Sequence, residues 1–333
     1  MRYFIYKLVI SAFLAICAAL PTQANDISPE WKIEWPQTDF SKSNIPFSEI
    51  MSGGPAKDGI PALDNPSFLL AEEEQSLGDK EPVIVLTVKG QSKAYPLRIL
   101  MWHEIVNDTI KEVPVVVTYC PLCNASIVYD RRIEGKVLDF GVSGKLRHTD
   151  MIMYDRQTES WWQQFLGIGI VGKMAEEKLT RIPSEILPFA EFKKRYPASL
   201  VLTAPNPDAR PYGQNPYERY DTSKWPFLYQ GEYDGPIPPL AYVISVGEEA
   251  WPLSLIRGKK RIVQSNLIIE WQSGMNSALD DKLITSSRDL GYVTVSRKGV
   301  GGKLVPVSYD MTFAFVFRVF HPLGIFHTSS LVE

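Results

Sequence analysis

The chain has 333 residues, 45% of them hydrophobic and 22% charged, with a formal net charge of −3. That length buries a real core, in one large domain or two smaller ones. A mildly acidic chain without a long basic run is a poor partner for nucleic acid, whose phosphates demand clustered Lys and Arg.

Residues 1–24 read as a signal peptide. Arg2 and Lys7 make a positive start, Leu8 to Leu20 is apolar apart from Ser11, and Thr22-Gln23-Ala24 supplies small residues for cleavage after Ala24. The apolar run is short for a bilayer-spanning helix, which needs roughly 20 residues. Ile16 stands where a lipoprotein signal ending at Cys17 would want a small residue. Cleavage predicts a periplasmic or secreted protein with no membrane span. It removes Cys17 and two positive charges, so the balance of −3 becomes −5. Cys120 and Cys123 are then the remaining cysteines, in an oxidising compartment.

Residues 25–66, rich in Pro, Ser, Asp and Gly, are expected to form an extended N-terminal arm. Glu72-Glu73-Glu74 reads as a solvated acidic turn. The β-branched run Val83–Val88 is a strand, followed by a turn at Lys89–Ser92 and a second extended stretch through Lys93–Leu97. Ile99–Val106 fits a short helix or a strand, and periodicity alone does not decide. Val113–Tyr119 is a buried strand. Ser126–Tyr129 and Val137–Val142 are expected to pair as a hairpin turning at Glu134-Gly135, which puts Cys120-Pro121-Leu122-Cys123 in a tight turn between strands. Asp150–Asp155 alternates as a half-buried strand does. Phe189–Tyr196 is a short helix behind Pro188, with Pro197 beyond its end.

Residues 205–240 form a long Pro- and Tyr-rich connection, a length that is either functional or a linker. Beyond it the chain echoes itself. Ala241–Leu253 repeats the pattern of Val83–Leu97, ending in Ala-Trp-Pro-Leu where the first copy has Ala-Tyr-Pro-Leu. Phe313–Thr328 loosely matches Phe189–Thr203. The expectation is a mainly β, α+β protein with two related β-rich halves, 67–204 and 241–333. Chemistry then falls to the first half, because the second lacks cysteine. Arg318, His321 and Pro322 argue against a membrane span near the C-terminus.

Three readings fit Cys120-Pro-Leu-Cys123. As a thiol–disulfide couple, one thiolate attacks and the other resolves. The segment after it reads as a strand, so the helix N-terminus that usually lowers a thiol pKa is not expected. As a metal knuckle, the two thiolates need further ligands. The chain offers His103, His148, His321 and His327, and His103 is the best placed. Met101, Met151 and Met153 would suit copper(I), while zinc fits Cys and His. As a structural disulfide, so small a loop contributes on the order of 2 kcal/mol. Haem attachment is excluded because Asn124, not His, follows Cys123. Ser143–Asp150 reads as an anion-binding loop or an ordinary exposed turn. Trp161 and Trp162 read as core, as do His321 and His327. Nucleophile-elbow, phosphate-loop and HExxH patterns are absent.

The segments AYPLRILMWHEIVNDTI, VTYCPLCNASIVYDR, FGVSGKLRHTDMIMYDRQTESWWQQF and YGQNPYERYDTS resemble the domain-of-unknown-function family numbered 3179, from about Asp58 to the end of the chain. That family is largely bacterial and archaeal and often exported. Some members carry selenocysteine in the cysteine motif, which implies redox use of Cys120 or Cys123. The resemblance also matches His103, Glu104, Asn107, Asp108, Arg131, Ser143, Gly144, Asp155, Arg156, Glu159, Ser160 and Gln163 to family motif positions. This chain departs from the pattern at Asn124, where a small residue is common, and at Gly167-Ile168-Gly169-Ile170.

The expected site is therefore Cys120 and Cys123, with His103 as proton partner and Asp155 and Arg156 as orienting groups. Its leading use is redox chemistry with a periplasmic redox partner, a small thiol or an oxidant. The alternatives are copper or zinc held by Cys120, Cys123 and His103, or an envelope interaction module stapled by a disulfide.

Overall fold

The structure is a computed structural model and describes residues 27–328. The expected signal peptide at 1–24, with Cys17, lies outside the described residues. Among the described residues no helix is long and apolar enough to cross a membrane.

The protein is mainly β, with five small sheets set in a propeller-like ring. The cysteine sheet runs in the order Arg181–Ile182, Ala125–Asp130, Val113–Cys120, Ile105–Ile110, Leu63–Asp64. Val115–Val117 are fully buried at its centre, a β-branched run with apolar cover on both faces. A second sheet is built on the antiparallel pair Pro82–Val88 and Gln91–Pro96. Ser184–Pro188 lies on one side of the pair and Leu200–Leu202, parallel, on the other.

The ambiguous stretch at 99–106 is both things in turn. Helix Leu97–His103 stops at Glu104, whose φ of 56° reverses the chain into strand Ile105–Ile110. Periodicity failed there because the switch occupies a single residue.

The two halves share one topology. In the second half Tyr242–Val246 pairs with Glu249–Pro252, flanked by antiparallel Asp310–Phe313 and parallel Ile325–Phe326, matching four strands of the second sheet in order; that sheet's fifth, Phe68–Leu70 beside Leu200–Leu202, has no counterpart. Helix Leu253–Lys259 follows, as Leu97–His103 does in the first half. It too ends on a positive-φ residue, Lys260 at 63°. The amides of Glu104 and Lys260 return to Leu100 and Ile256 at 2.7 Å. Their carbonyls accept from Tyr119 and Trp271 at 2.8 Å. The last sheet, Arg261–Gln264, Leu267–Gln272, Tyr292–Lys298 and Leu304–Pro306, repeats the core order of the cysteine sheet. The main hydrophobic core draws on both halves, from Leu63 to Val316.

One sheet has no counterpart in the second half. Residues 138–171 form most of it, with strands Phe140–Arg147, Asp150–Asp155, Trp161–Gln163 and Ile168–Val171, edged by Ile50–Ser52. The pairing expected between Ser126–Tyr129 and Val137–Val142 does not form. Ala125–Asp130 already has partners on both sides, Val113–Cys120 and Arg181–Ile182. The Glu134-Gly135 turn closes only a two-rung hairpin, Arg132–Ile133 with Lys136–Val137. Phe140–Arg147 instead pairs with Asp150–Asp155 through a turn at His148 and Thr149, whose φ values are 52° and 70°. Neither residue carries the Asn-Gly signature that announces such a turn. The stretch Ser143–Asp150 is thus strand and hairpin turn, with Ser143 fully buried.

The N-terminal arm is largely irregular but firmly docked. Helix Pro29–Glu34 and the residues after it set Trp31 and Trp35 edge-on against Trp161, at centroid distances of 5.1 and 5.4 Å.

Candidate thiol site

Cys120 ends the central strand of its sheet. Pro121–Cys123 forms one 3₁₀ turn, and Asn124 closes it in the left-handed region (φ 46°, ψ 41°) before the chain returns as Ala125–Asp130. Asn is among the few non-glycine residues that tolerate this conformation. The turn is pinned from three directions. The Tyr119 hydroxyl donates to Asn124 Oδ1 (3.2 Å), and Asn124 Nδ2 donates to the Met311 carbonyl (3.2 Å). Thr312 Oγ1 donates to the Cys123 carbonyl (2.7 Å), and the Tyr220 hydroxyl to the Leu122 carbonyl (2.8 Å). The second half and the Pro/Tyr-rich connection therefore hold the cysteine turn in place.

Both cysteines are free thiols, and both are buried. The third member of the site is Asp150, the first residue of its strand in the added sheet. Its carboxylate and the two sulfurs lie within 4.8 Å of one another. Asp150 Oδ2 accepts from Gln163 Nε2 (2.6 Å) and from the Phe165 amide (3.0 Å), while Oδ1 has no hydrogen-bond partner. Thr149 Oγ1, one residue earlier, is also buried and unpartnered. Cys120 Sγ points to the Thr149 carbonyl at 3.8 Å.

Burial dominates the electrostatics, because every group here is least costly when neutral. It pushes the Cys120 thiol up and the Cys123 thiol well up, the latter reinforced by Cys120 beside it. Burial raises Asp150 to about 7 against the pull of its hydrogen-bond donors. Glu104 is raised to about 8 by burial and by the nearby Asp150 charge. Tyr217, from the connection, is pushed up by burial, by Glu104 and by Cys120. The assembly is two thiols and two carboxyls, with Tyr217 and Tyr220 nearby.

His103, Asp155 and Arg156 are not brought to the sulfurs. His103 Nδ1 donates to the Pro61 carbonyl (2.8 Å), which leaves Nε2 to accept from the Tyr212 hydroxyl (2.7 Å). Burial lowers its pKa. The buried Asp155 carboxylate takes the Thr158 amide (2.7 Å), the Thr158 hydroxyl (2.8 Å) and Trp162 Nε1 (2.9 Å). Arg156 pairs with Asp64 at 2.6 Å.

Of the residues matched through the family resemblance, Glu104 and Gln163 join the site, and Asn107, Asp108 and Glu159 brace the scaffold. Asn107 bridges Asp64 and Phe140, Asp108 takes Lys93 and Tyr95, and Glu159 takes Lys57. Asp150, Tyr217 and Tyr220 were missed by sequence reasoning. Asp150 lies in a quoted family segment and Tyr217 and Tyr220 in the tyrosine-rich connection, so signals existed, but nothing local tied them to the cysteines.

No curated protein and no solved structure matches the chain. The model of a family described as protein of unknown function, DUF3179, matches residues 57–324, most of the chain. The chain belongs to the DUF3179 family.

Proposed function

We propose that this is an exported thiol–disulfide redox protein whose reacting pair is Cys120 and Cys123. The observation that carries the reading is the pairing of two free thiols on one short turn with a carboxylate within 4.8 Å of both sulfurs. Export rests on the pattern of residues 1–24 alone.

The reduced protein passes two electrons to a disulfide. Cys120, at 2% exposure against 0% for Cys123 and with the less raised thiol, gives its proton to solvent and attacks as the thiolate, and the departing substrate sulfur takes a proton from solvent in turn. One substrate sulfur leaves as a thiol and a mixed disulfide remains on Cys120. Cys123 then gives its proton to Asp150, attacks Cys120 Sγ and expels the second substrate thiol. The protein ends with a Cys120–Cys123 bridge, and the substrate disulfide ends as two thiols. Burial favours the protonated thiols, so the site must open to solvent before Cys120 ionises and attacks. The partner class is a small thiol or disulfide, or a redox protein of the same compartment.

The test is equilibration of the folded protein in glutathione buffers, read by mass spectrometry after acid trapping. The expected result is a reversible Cys120–Cys123 bridge in wild type and a glutathione adduct on Cys120 in Cys123→Ser. A pair that stays reduced throughout, or a bridge that resists reduction in the folded protein, removes the redox reading; the second outcome leaves a structural staple.

A further inference from the structure

We propose that the reduced site is also a binding site for a zinc-class divalent cation, with Cys120 Sγ, Cys123 Sγ and Asp150 Oδ1 as its protein ligands. The two sulfurs and one carboxylate oxygen of Asp150 lie within 4.8 Å of one another, brought together from two sheets. An ion bound at about 2.0–2.3 Å from each atom would draw the three donors to roughly 3.3–3.8 Å of one another. The second observation is the state of Asp150. It is fully buried, and Oδ2 is satisfied by two donors; Oδ1 makes no regular hydrogen bond, and the Cys123 thiol and the Met151 amide are the further donors beside the carboxylate. A buried carboxylate oxygen left bare is costly unless something positive or protic meets it. Among the described residues neither Asp150 nor Glu104 has a Lys, Arg or His as ion-pair partner, so the site lacks a cation of its own.

The donor set selects the ion class. A carboxylate oxygen beside two thiolates suits zinc, which accepts both, and is a poor set for copper(I), which favours sulfur alone. His103 is not needed as a third ligand, since both its ring nitrogens are engaged by Pro61 and Tyr212. Three protein ligands leave a fourth position for water or a bound molecule, the pattern of an open zinc site. Gln163 and the Phe165 amide, donating to Oδ2, hold the carboxylate with Oδ1 turned free. Binding releases the thiol protons to solvent as each sulfur coordinates. A Cys120–Cys123 bridge and the cation exclude one another, because both use the same sulfurs. The cation site does not depend on the redox reading.

The experiment is titration of reduced, chelator-stripped full-length protein with zinc chloride against a chromophoric competitor, and in parallel with cobalt chloride followed by absorption. The expected result is one ion per chain, with thiolate-to-cobalt charge-transfer bands and d–d bands of tetrahedral intensity. Cys120→Ser and Cys123→Ser should abolish the charge-transfer bands, and Asp150→Asn should weaken zinc binding by roughly tenfold or more. Should Asp150→Asn fail to fold, the wild-type cobalt spectrum decides alone, through the thiolate and tetrahedral bands. No binding beyond an adventitious level, octahedral cobalt without thiolate bands, or unchanged affinity in folded Asp150→Asn overturns the proposal. Bridge formation is measured separately with chelator present, so failure of the redox reading and failure of the cation site are told apart.

Discussion

Replacing Asp150 by Asn should flatten the pH dependence of stability in the reduced, metal-free protein. The carboxyl is raised from 3.8 to about 7 in the folded state. The folded protein therefore keeps this proton over a range where the unfolded chain has lost it. The stability from burying a neutral carboxyl is fully present below the unfolded pKa and is lost as pH rises through about 7. Between pH 5 and pH 8 the loss from this residue alone is roughly 2–3 kcal/mol. For a chain of this size that corresponds to about 4 °C in Tm. Asn cannot ionise, and its carbonyl oxygen accepts from Gln163 and Phe165 as Oδ2 does, so the packing is retained. Glu104, raised to about 8, still makes the variant lose stability as pH rises, and Glu104→Gln with Asp150→Asn should remove both slopes. The assay is urea unfolding at half-unit pH steps, with reductant and chelator present. Parallel profiles for wild type and Asp150→Asn would refute the argument that burial dominates at this carboxyl.

Tyr220→Phe deletes the donor to the buried Leu122 carbonyl and should cost about 1–3 kcal/mol in urea unfolding, loosening the turn so that Cys120 alkylates faster in the folded protein; unchanged stability and labelling would show that this bond does not hold the turn. Lys93→Met leaves Asp108 buried without its cation, 2.7 Å away in the wild type, and should cost about 3–5 kcal/mol in thermal or urea unfolding. Phe313→Ala opens a cavity where the second half meets the cysteine turn. The side chain is fully buried between Tyr220 and Tyr242, and a loss of about 3–5 kcal/mol is expected by calorimetry.

The strands of the first half were legible wherever burial imposed a β-branched run, as at Val83–Val88 and Val113–Tyr119. The internal echo was legible too, because Ala-Tyr-Pro-Leu and Ala-Trp-Pro-Leu occupy the same strand-to-helix corner in each half. What could not be read is whatever tertiary contact decides. The hairpin was misassigned because a strand's choice between two neighbours is settled by the sheet, not by the turn between them. His103 and Asp155 drew attention as chemically capable residues, yet local partners use them up. Asp150 drew none. It reaches the cysteines only because residues 138–171 fold as a separate sheet that lays its second strand against the cysteine turn.

The paired corners at Glu104 and Lys260 make the second half a natural blank for the first. The backbone there is the same, down to the positive φ and both hydrogen bonds, but one corner carries an acid and the other a base. The strained conformation thus belongs to the architecture, and the carboxyl at 104 is a choice made on top of it. The same subtraction applies to the sheets. Strip away what the halves hold in common, and the remainder is the cysteine turn, the acid beside it and the inserted strands that deliver Asp150 and Gln163. Without the strands at 138–171 the cysteine turn would keep its place in the fold but lose Asp150 and Gln163.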